Sequence, residues 1–312
     1  MAMPAVSVVL PVRNRARELP TLLSHLEQQS FPAADLEVVI VDDGSRDGTD
    51  ETARRYAAGA PVRMHCLRQA YCARARALNL GIHESHGEWV LFLDEELLAS
   101  PQWVEGHVRA LQAMEGRGFT VGPVLPHPQL SEDALTRWFL SDVYPDVHAS
   151  DVLSWVDCSA SNLGVPRAAL MKLHGFDEGF PHSMGTGRDL AYRLSGEGIQ
   201  PRFVEEANAY IGFSCTFNEV YVHCYRLGYS LYRLAEHTDT QMIQAAFPVR
   251  PRLLRRLMDA VSCPYYRQFF GDSASHGGVR GSMLRRVFIQ QVYRGFQDAR
   301  RGRAPDEPVV LD

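Results

Sequence analysis

The sequence predicts an α/β fold, a mainly parallel sheet flanked by helices, followed by a C-terminal helical region. Three observations carry this. Apolar β-rich runs alternate with stretches of helical periodicity from Val6 to Leu125. Two of those runs, Val38 to Val41 and Trp89 to Leu93, are unbroken enough to read as interior strands. From Cys215 onward the pattern turns helical.

Val6 to Leu10 reads as the first strand. Leu19, Leu22, Leu23 and Leu26 then fall at i, i+3, i+4 and i+7, one face of a helix. Val38 to Val41 is the second strand. Gly44-Ser45-Arg46-Asp47-Gly48-Thr49 is turn chemistry leading into a helix over Asp50 to Ala58. Val62 to Leu67 suits a third strand, Ala73 to Glu84 a helix, and Trp89 to Leu93 the next strand. Ser100-Pro101 reads as an N-cap with proline at the first helical position. Phe119 to Leu125 is a further strand. Residues 126–155 are irregular, open to an acceptor site or a connecting loop. Helices are expected over Val165 to Leu173, Asp189 to Glu197, Val220 to Ala235, Arg252 to Val261 and Met283 to Ala299. The expected division is a domain of residues 1–212 and a helical extension of residues 213–312.

The chain of 312 residues is 46% hydrophobic and 22% charged, a balance that buries a sizeable core. Its net charge of −5 argues against a nucleic-acid binder, whose footprint is basic. No stretch approaches transmembrane length, and the N-terminus lacks a basic leader region. The six cysteines show neither CxxC nor zinc spacing, and reduced thiols in a cytoplasm are the plain reading.

Each buried-looking strand runs into acids: Asp42-Asp43 after the first, Asp94-Glu95-Glu96 after the second. Open parallel sheets bind ligands beyond the carboxyl ends of their strands, so these acids are expected to share one crevice. Crowded carboxylates repel unless a cation or donor groups join them. A divalent metal with a polyphosphate resolves this, because hard cations prefer oxygen.

Four stretches in this order resemble glycosyltransferase family 2: Ser7 to Asn14, Val39 to Thr49, Arg74 to Ile82 followed by Gly87-Glu88, and Leu93-Asp94-Glu95-Glu96. Ser161 to Val165 with Arg167, and Gly175 to Glu178, fit downstream. The resemblance runs from Val6 to Ile211 and implies the Rossmann-like GT-A fold. It implies an enzyme moving a sugar from a nucleotide-sugar, UDP by default, to an acceptor hydroxyl with inversion. The acceptor is a glycan, a lipid-linked glycan or a small molecule. The alternative is a nucleotide-sugar-binding partner or regulatory subunit without catalysis.

The resemblance places Asp43 on the base or ribose of the donor, with Asp42 beside it and Pro11 and Arg13 as walls. Arg74 is expected at the diphosphate. Asp94 and Glu96 would hold Mg2+ or Mn2+, Glu96 standing where the family has its final Asp. A turn, a solvated helix face and a helix-terminal charge are the plainer readings of these same groups.

The family often carries Glu-Asp two residues ahead of Asp-Leu-x-x-Arg-Leu. Here Thr186-Gly187 replaces that pair, ahead of Asp189-Leu190. Asp189 is the expected catalytic base, with helix N-cap as the competing reading; Asp177 and His182 follow as candidates. The histidine that some relatives offer as a further metal ligand near Tyr210-Ile211 is missing; His223 is the nearest. The C-terminal Arg and aromatic residues, among them Arg285, Arg286, Phe288, Arg294 and Phe296, suit either peripheral contact with an anionic inner membrane face or an amphipathic helix packed on the main domain with a solvated basic face.

Overall fold

The computed structural model describes residues 3–128, 153–180, 185–212, 216–237 and 281–303. The chain divides into two compact units, residues 1–125, 144–179 and 186–212 in one, and 126–143, 180–185 and 213–312 in the other.

In the first unit, β1 (Val6–Val12), β2 (Leu36–Asp43), β3 (Arg63–Gln69) and β4 (Trp89–Leu93) form a block of four parallel neighbours in a seven-stranded sheet. The remaining strands are β6 (Gly118–Val121), β8 (Asn162–Pro166) and β9 (Gln200–Phe203), and the order is β3-β2-β1-β4-β8-β6-β9. β8 runs antiparallel to both neighbours. β1 and β2 are buried along their whole length, which is why both read as unbroken apolar runs. The register pairs Val12 with Asp42 and Asp43 with Gln69, so the carboxyl ends of three strands finish level.

Helices α1 (Leu19–Glu27), α2 (Thr49–Ala57), α3 (Arg74–Glu84) and α4 (Trp103–Ala113) connect the early strands. α1 buries Leu19, Leu22, Leu23 and Leu26, the predicted stripe, and each side chain contributes about 1.5–3 kcal/mol. A second sheet of three short strands, β5 (Leu97–Ala99), β10 (Ala209–Ile211) and β7 (Val124–Pro126), lies in the order β5-β10-β7.

One buried polar network joins α4, β6 and β8. Asn162 donates its amide to the carbonyls of Pro123 and Ala207, at 3.0 and 2.9 Å. That fixes its Oδ1 as acceptor for Trp103 Nε1 (2.7 Å) and His107 Nε2 (2.9 Å). His107 is then the Nε2–H tautomer, and its Nδ1 accepts from Thr120 Oγ at 2.8 Å. Burial pushes the His107 imidazole down to about 4 despite the Asn162 bond.

Four local expectations are corrected. The Ser100-Pro101 cap gives way to β5 and a turn, with α4 starting at Trp103. Phe119 to Leu125 is two strands in two sheets. Val165 belongs to β8, and the helix that follows, α5, covers only Arg167–Lys172. α6 begins at Thr186 and ends at Gly196. The first three share a cause: three- to five-residue strands carry too few residues to display a period.

In the second unit, α7 (Phe217–His237) and α8 (Gly281–Arg300) pack together. Tyr225 Oη donates to Asp298 at 3.3 Å, and the Arg294 guanidinium lies 5.9 Å from the Tyr225 ring centre. Tyr232 and Phe296 meet edge to face at 5.5 Å. The expected helix over Arg252 to Val261, most of the 126–155 segment, and the side chains of Arg285, Arg286 and Phe288 lie outside the described residues. Among those described, no helix is long and apolar enough to cross a membrane.

Candidate active site

The carboxyl ends of β1, β2 and β4 carry the candidate residues together, as parallel neighbours must. At the end of β2, Asp42 turns back on its own loop: Oδ1 accepts from the Ser45 N–H at 3.0 Å and from its hydroxyl, and Oδ2 faces Arg68 Nε at 3.4 Å. This is turn chemistry. Asp43 points elsewhere. Its Oδ1 accepts from Gln69 Nε2 at 2.8 Å and from the Cys72 N–H at 3.2 Å. Gly44 makes this approach feasible: at φ 74°, a Cβ there would lie 2.6 Å from the Tyr71 nitrogen. Burial and the neighbouring Asp43 push the Cys72 thiol up, so it stays protonated at neutral pH.

The loop after β1 is tied down on the loop after β2. The Asn14 N–H donates to Ser45 Oγ (2.9 Å), that of Arg15 to Thr49 Oγ1 (2.8 Å), and that of Ala16 to Asp47 (3.0 Å). Pro11 is buried in β1. Arg13 lays its guanidinium 3.6 Å from the centre of the Tyr71 ring, and that ring is 52% exposed. A planar cation on an exposed ring is a surface on which a flat heterocycle can stack.

Past β4 the three acids diverge. Asp94 is gripped by Arg74 through Oδ1 and by the Ser161 hydroxyl through Oδ2 (2.7 Å), while its own N–H donates to the Ser161 carbonyl (3.1 Å). Glu96 is half-exposed and meets Arg15 at 3.1 Å. Glu95 turns inward, accepting the Arg13 N–H at 2.6 Å, with Arg15 Nε at 3.7 Å. Burial pushes its carboxyl up to about 7, against the pull of the Arg74 and Arg15 guanidiniums. Arg74 opens α3 directly after Ala73, whose φ of 119° and ψ of 145° lie in a region reserved almost wholly for glycine.

Among the described residues, no three His, Cys, Asp or Glu side chains already surround one point. A cation at this crevice would therefore draw on Asp94, Glu96 and oxygens brought by the ligand. One or two carboxylates with ligand phosphates is the usual donor set of a hard divalent ion, so the residues fit, provided Arg74 yields Asp94 Oδ1.

The region expected to supply a base has a different geometry. Asp189 is 4% exposed in the first turn of α6, and its Oδ2 accepts from Arg193 Nε at 2.9 Å and faces Arg193 Nη2 at 2.8 Å. Arg193 in turn donates to the carbonyls of Leu173 (3.0 Å) and Gly175 (2.9 Å). Gly187 has no room for a side chain, since a Cβ would stand 2.2 Å from the Ala160 nitrogen. Asp177 is half-buried and accepts the Gly179 N–H at 2.8 Å. His182 lies outside the described residues. Tyr210-Ile211 is part of β10, paired with β5.

Sequence reasoning missed Gln69, Tyr71, Arg15 and the separate course of Glu95. Gln69 had a usable signal: it ends β3 level with Asp43, at the same carboxyl edge.

The family model described as Glycosyl transferase family 2 matches residues 7–171. Validoxylamine A glucosyltransferase of Streptomyces hygroscopicus subsp. jinggangensis is 30% identical over 221 residues, 63% of this chain and 52% of that protein. Glycosyltransferase AglE of Haloferax volcanii is 33% identical over 116 residues, 37% of each chain. This chain spans about half the length of the Streptomyces relatives it matches. Among solved structures, the mannosyltransferase PcManGT of Pyrobaculum calidifontis, in complex with GDP-Man and Mn2+, superposes with a TM-score of 0.68 at 17% identity, covering 97% of this chain and 89% of that one. S. aureus TarS 1-349 in complex with UDP gives 0.52 at 14%, covering 96% and 92%. Likeness at that identity is likeness of fold.

Proposed function

The chain belongs to glycosyl transferase family 2, and from that premise we propose that it transfers a sugar from a nucleotide-sugar to an acceptor hydroxyl, with inversion at the anomeric carbon. The observation that carries the reading is the convergence of Asp43, Arg13, Arg74, Asp94 and Glu96 at one carboxyl edge of the sheet. The Pyrobaculum structure holds a nucleotide-sugar with Mn2+ on the same fold.

UDP is the proposed nucleotide, on the geometry of the one Asp43 oxygen left to the ligand. Both lone pairs of Asp43 Oδ1 are taken by Gln69 and Cys72. That leaves Oδ2 for the ligand. Uracil presents one N–H beside its carbonyls, which one acceptor satisfies. Guanine presents an N–H and an amino group side by side, a pair that the two oxygens of one carboxylate span in parallel and that a single oxygen accepts only in a bent, shared geometry. The Arg13–Tyr71 pair supplies the stacking surface.

Asp94 and Glu96 would hold a divalent cation, which lowers the cost of charge developing on the leaving diphosphate. Arg74, released from Asp94, is placed to meet the diphosphate, and Ser161 keeps the Asp94 carboxylate oriented.

Inversion by direct attack needs a proton acceptor opposite the leaving group. Asp189 is a weaker candidate on this geometry than on the sequence, because taking a proton would discharge its pair with Arg193. We assign it a positioning role, holding α6 against the turn at Leu173 to Gly175. Asp177, His182 and the acceptor itself remain as proton acceptors.

A second reading, a nucleotide-sugar-binding protein without turnover, is favoured by Gly187, where the family's acidic pair is replaced and the Ala160 backbone fills the space. In the C-terminal region, Arg294 and Phe296 are engaged with Tyr225 and Tyr232 of α7, and peripheral membrane contact would fall to the other basic residues of α8. One experiment separates the two functional readings: thermal shift with a panel of nucleotide-sugars and Mn2+, followed by assay for released nucleoside diphosphate. Stabilisation with release supports transfer; stabilisation without release for any donor and acceptor supports the binding protein.

A further inference from the structure

Glu95 stands between the two proposed cation ligands, and the proposed reaction gives it no task. Its backbone sits on a turn fixed at three points. The Asp94 N–H donates to the Ser161 carbonyl at 3.1 Å, the Leu97 N–H to the Asp94 carbonyl at 3.0 Å, and the Gly212 N–H to the Glu96 carbonyl at 2.9 Å. The Glu95 side chain is 16% exposed. Its Oε2 accepts the Arg13 N–H at 2.6 Å, and its Oε1 lies 3.7 Å from Arg15 Nε, a buried atom with no hydrogen bond of its own.

The loop that Glu95 grips donates four successive N–H groups to side chains. Those of Asn14, Arg15 and Ala16 go to Ser45, Thr49 and Asp47, all from the turn after β2 and the start of α2. That of Arg13 goes to Glu95, from the turn after β4. β1 ends at Val12, so the Arg13 N–H is the first beyond the sheet. A carboxylate holds such an N–H more firmly than water does. Arg13 is also the residue whose guanidinium lies 3.6 Å from the centre of the exposed Tyr71 ring. One short bond therefore runs from the acidic turn to the residue that covers the stacking surface.

We propose that Glu95 is a positioning residue of the nucleotide site. It fixes the Arg13 main chain, and through it the guanidinium over Tyr71, so the base end of the site depends on a side chain from the turn that carries Asp94 and Glu96. This rests on the nucleotide reading of Arg13 and Tyr71. The geometry asks for reach rather than charge. Glutamine places a neutral oxygen on the same N–H. Aspartate keeps the charge but is one methylene short of it. A role for the charge alone, acting on Arg15 or on the ligand's phosphates, gives the opposite ranking of these two variants.

The test is calorimetry of UMP binding to the full-length protein in EDTA, which takes the cation out of the measurement. Glu95→Leu and Glu95→Asp should each weaken UMP roughly tenfold, and Glu95→Gln should stay within about threefold of wild type. Arg13→Ala should weaken UMP as well, and adding Glu95→Leu to it should cost less than about twofold more, because the effect runs through Arg13. If Glu95→Leu folds poorly, the Asp and Gln variants carry the comparison. Wild-type affinity in Glu95→Leu with a loss in Arg13→Ala overturns the proposal and leaves the nucleotide reading standing. Wild-type affinity in Arg13→Ala removes the stacking surface from that reading and this proposal with it. Loss in Glu95→Gln with retention in Glu95→Asp, or full additivity with Arg13→Ala, also overturns the positioning role.

Discussion

Gln69 Nε2 donates to Asp43 Oδ1 at 2.8 Å, across paired positions at the ends of β3 and β2. That bond decides which carboxylate oxygen a ligand meets. Wild type should bind UDP about tenfold more tightly than GDP, the worth of one satisfied polar contact. Gln69→Leu should weaken UDP severalfold and narrow the ratio, because Oδ1 regains a lone pair. Calorimetry with both nucleotides reads this; GDP binding as tightly as UDP in wild type would refute the preference for a single-donor base.

Asp94→Ala removes one proposed cation ligand and the partner of Arg74. Affinity for UDP in Mn2+ should fall tenfold or more, while the Tm moves by only a few degrees, since the pair is part-exposed. Wild type should also bind UDP more weakly in EDTA than in Mn2+. Indifference of wild type to the chelator would remove the metal from the proposal.

Asp189→Asn separates positioning from proton transfer. The positioning role predicts a loss of about 1–3 kcal/mol in unfolding free energy, with UDP affinity retained and kcat lowered less than tenfold where both proteins are folded. A kcat loss of two orders of magnitude or more at unchanged Tm would return the base to Asp189.

His107 predicts acid sensitivity. Its imidazole is held down to about 4 in the fold, against 6.5 unperturbed. Between those values the unfolded chain binds a proton that the folded chain refuses. Stability is therefore full above pH 6.5, declines as pH falls towards 4, and loses about 3 kcal/mol at most from this group. Urea midpoints at pH 7.5 and 4.5 should differ less in His107→Gln than in wild type, from a lower starting stability. An unchanged difference would show that other groups set the acid limit.

Ala73→Gly should raise stability by about 1 kcal/mol, the relieved backbone strain exceeding the added freedom of the unfolded chain. A thermal melt reads this directly, and a lower Tm would mean that the Ala73 methyl is better packed than its backbone is strained.

The strands that read most clearly were those buried on both faces. β1, β2 and β4 show unbroken apolar runs because nothing along them meets water. α1 declared itself through four leucines at helical spacing. β5, β7 and β10 stayed hidden because three residues cannot show a period and their partners are distant: Leu98 pairs with Tyr210. At the site, the acids were legible as types and positions, but their directions were not. Asp42 and Asp43 are neighbours in sequence and bind different partners, Ser45 and Arg68 for the one, Gln69 and the Cys72 N–H for the other. Glu95 and Glu96 divide in the same way: the loop after β1 meets both, Glu95 turned inward on the Arg13 N–H and Glu96 half-exposed on the Arg15 guanidinium.

The small sheet ties the order of synthesis to the integrity of the fold. β5 is made before residue 100 and must wait for residues 209–211, while β6 waits for β9 at 200–203. A nascent chain, or a fragment cut at residue 171 where the match to the family model ends, carries Leu97 to Ala99 and the far edge of β6 with no strand beside them. Unpaired apolar edges recruit other chains. Minimal versions of this protein should therefore extend past Ile211, and those that stop short are expected to precipitate rather than to act as smaller binding modules.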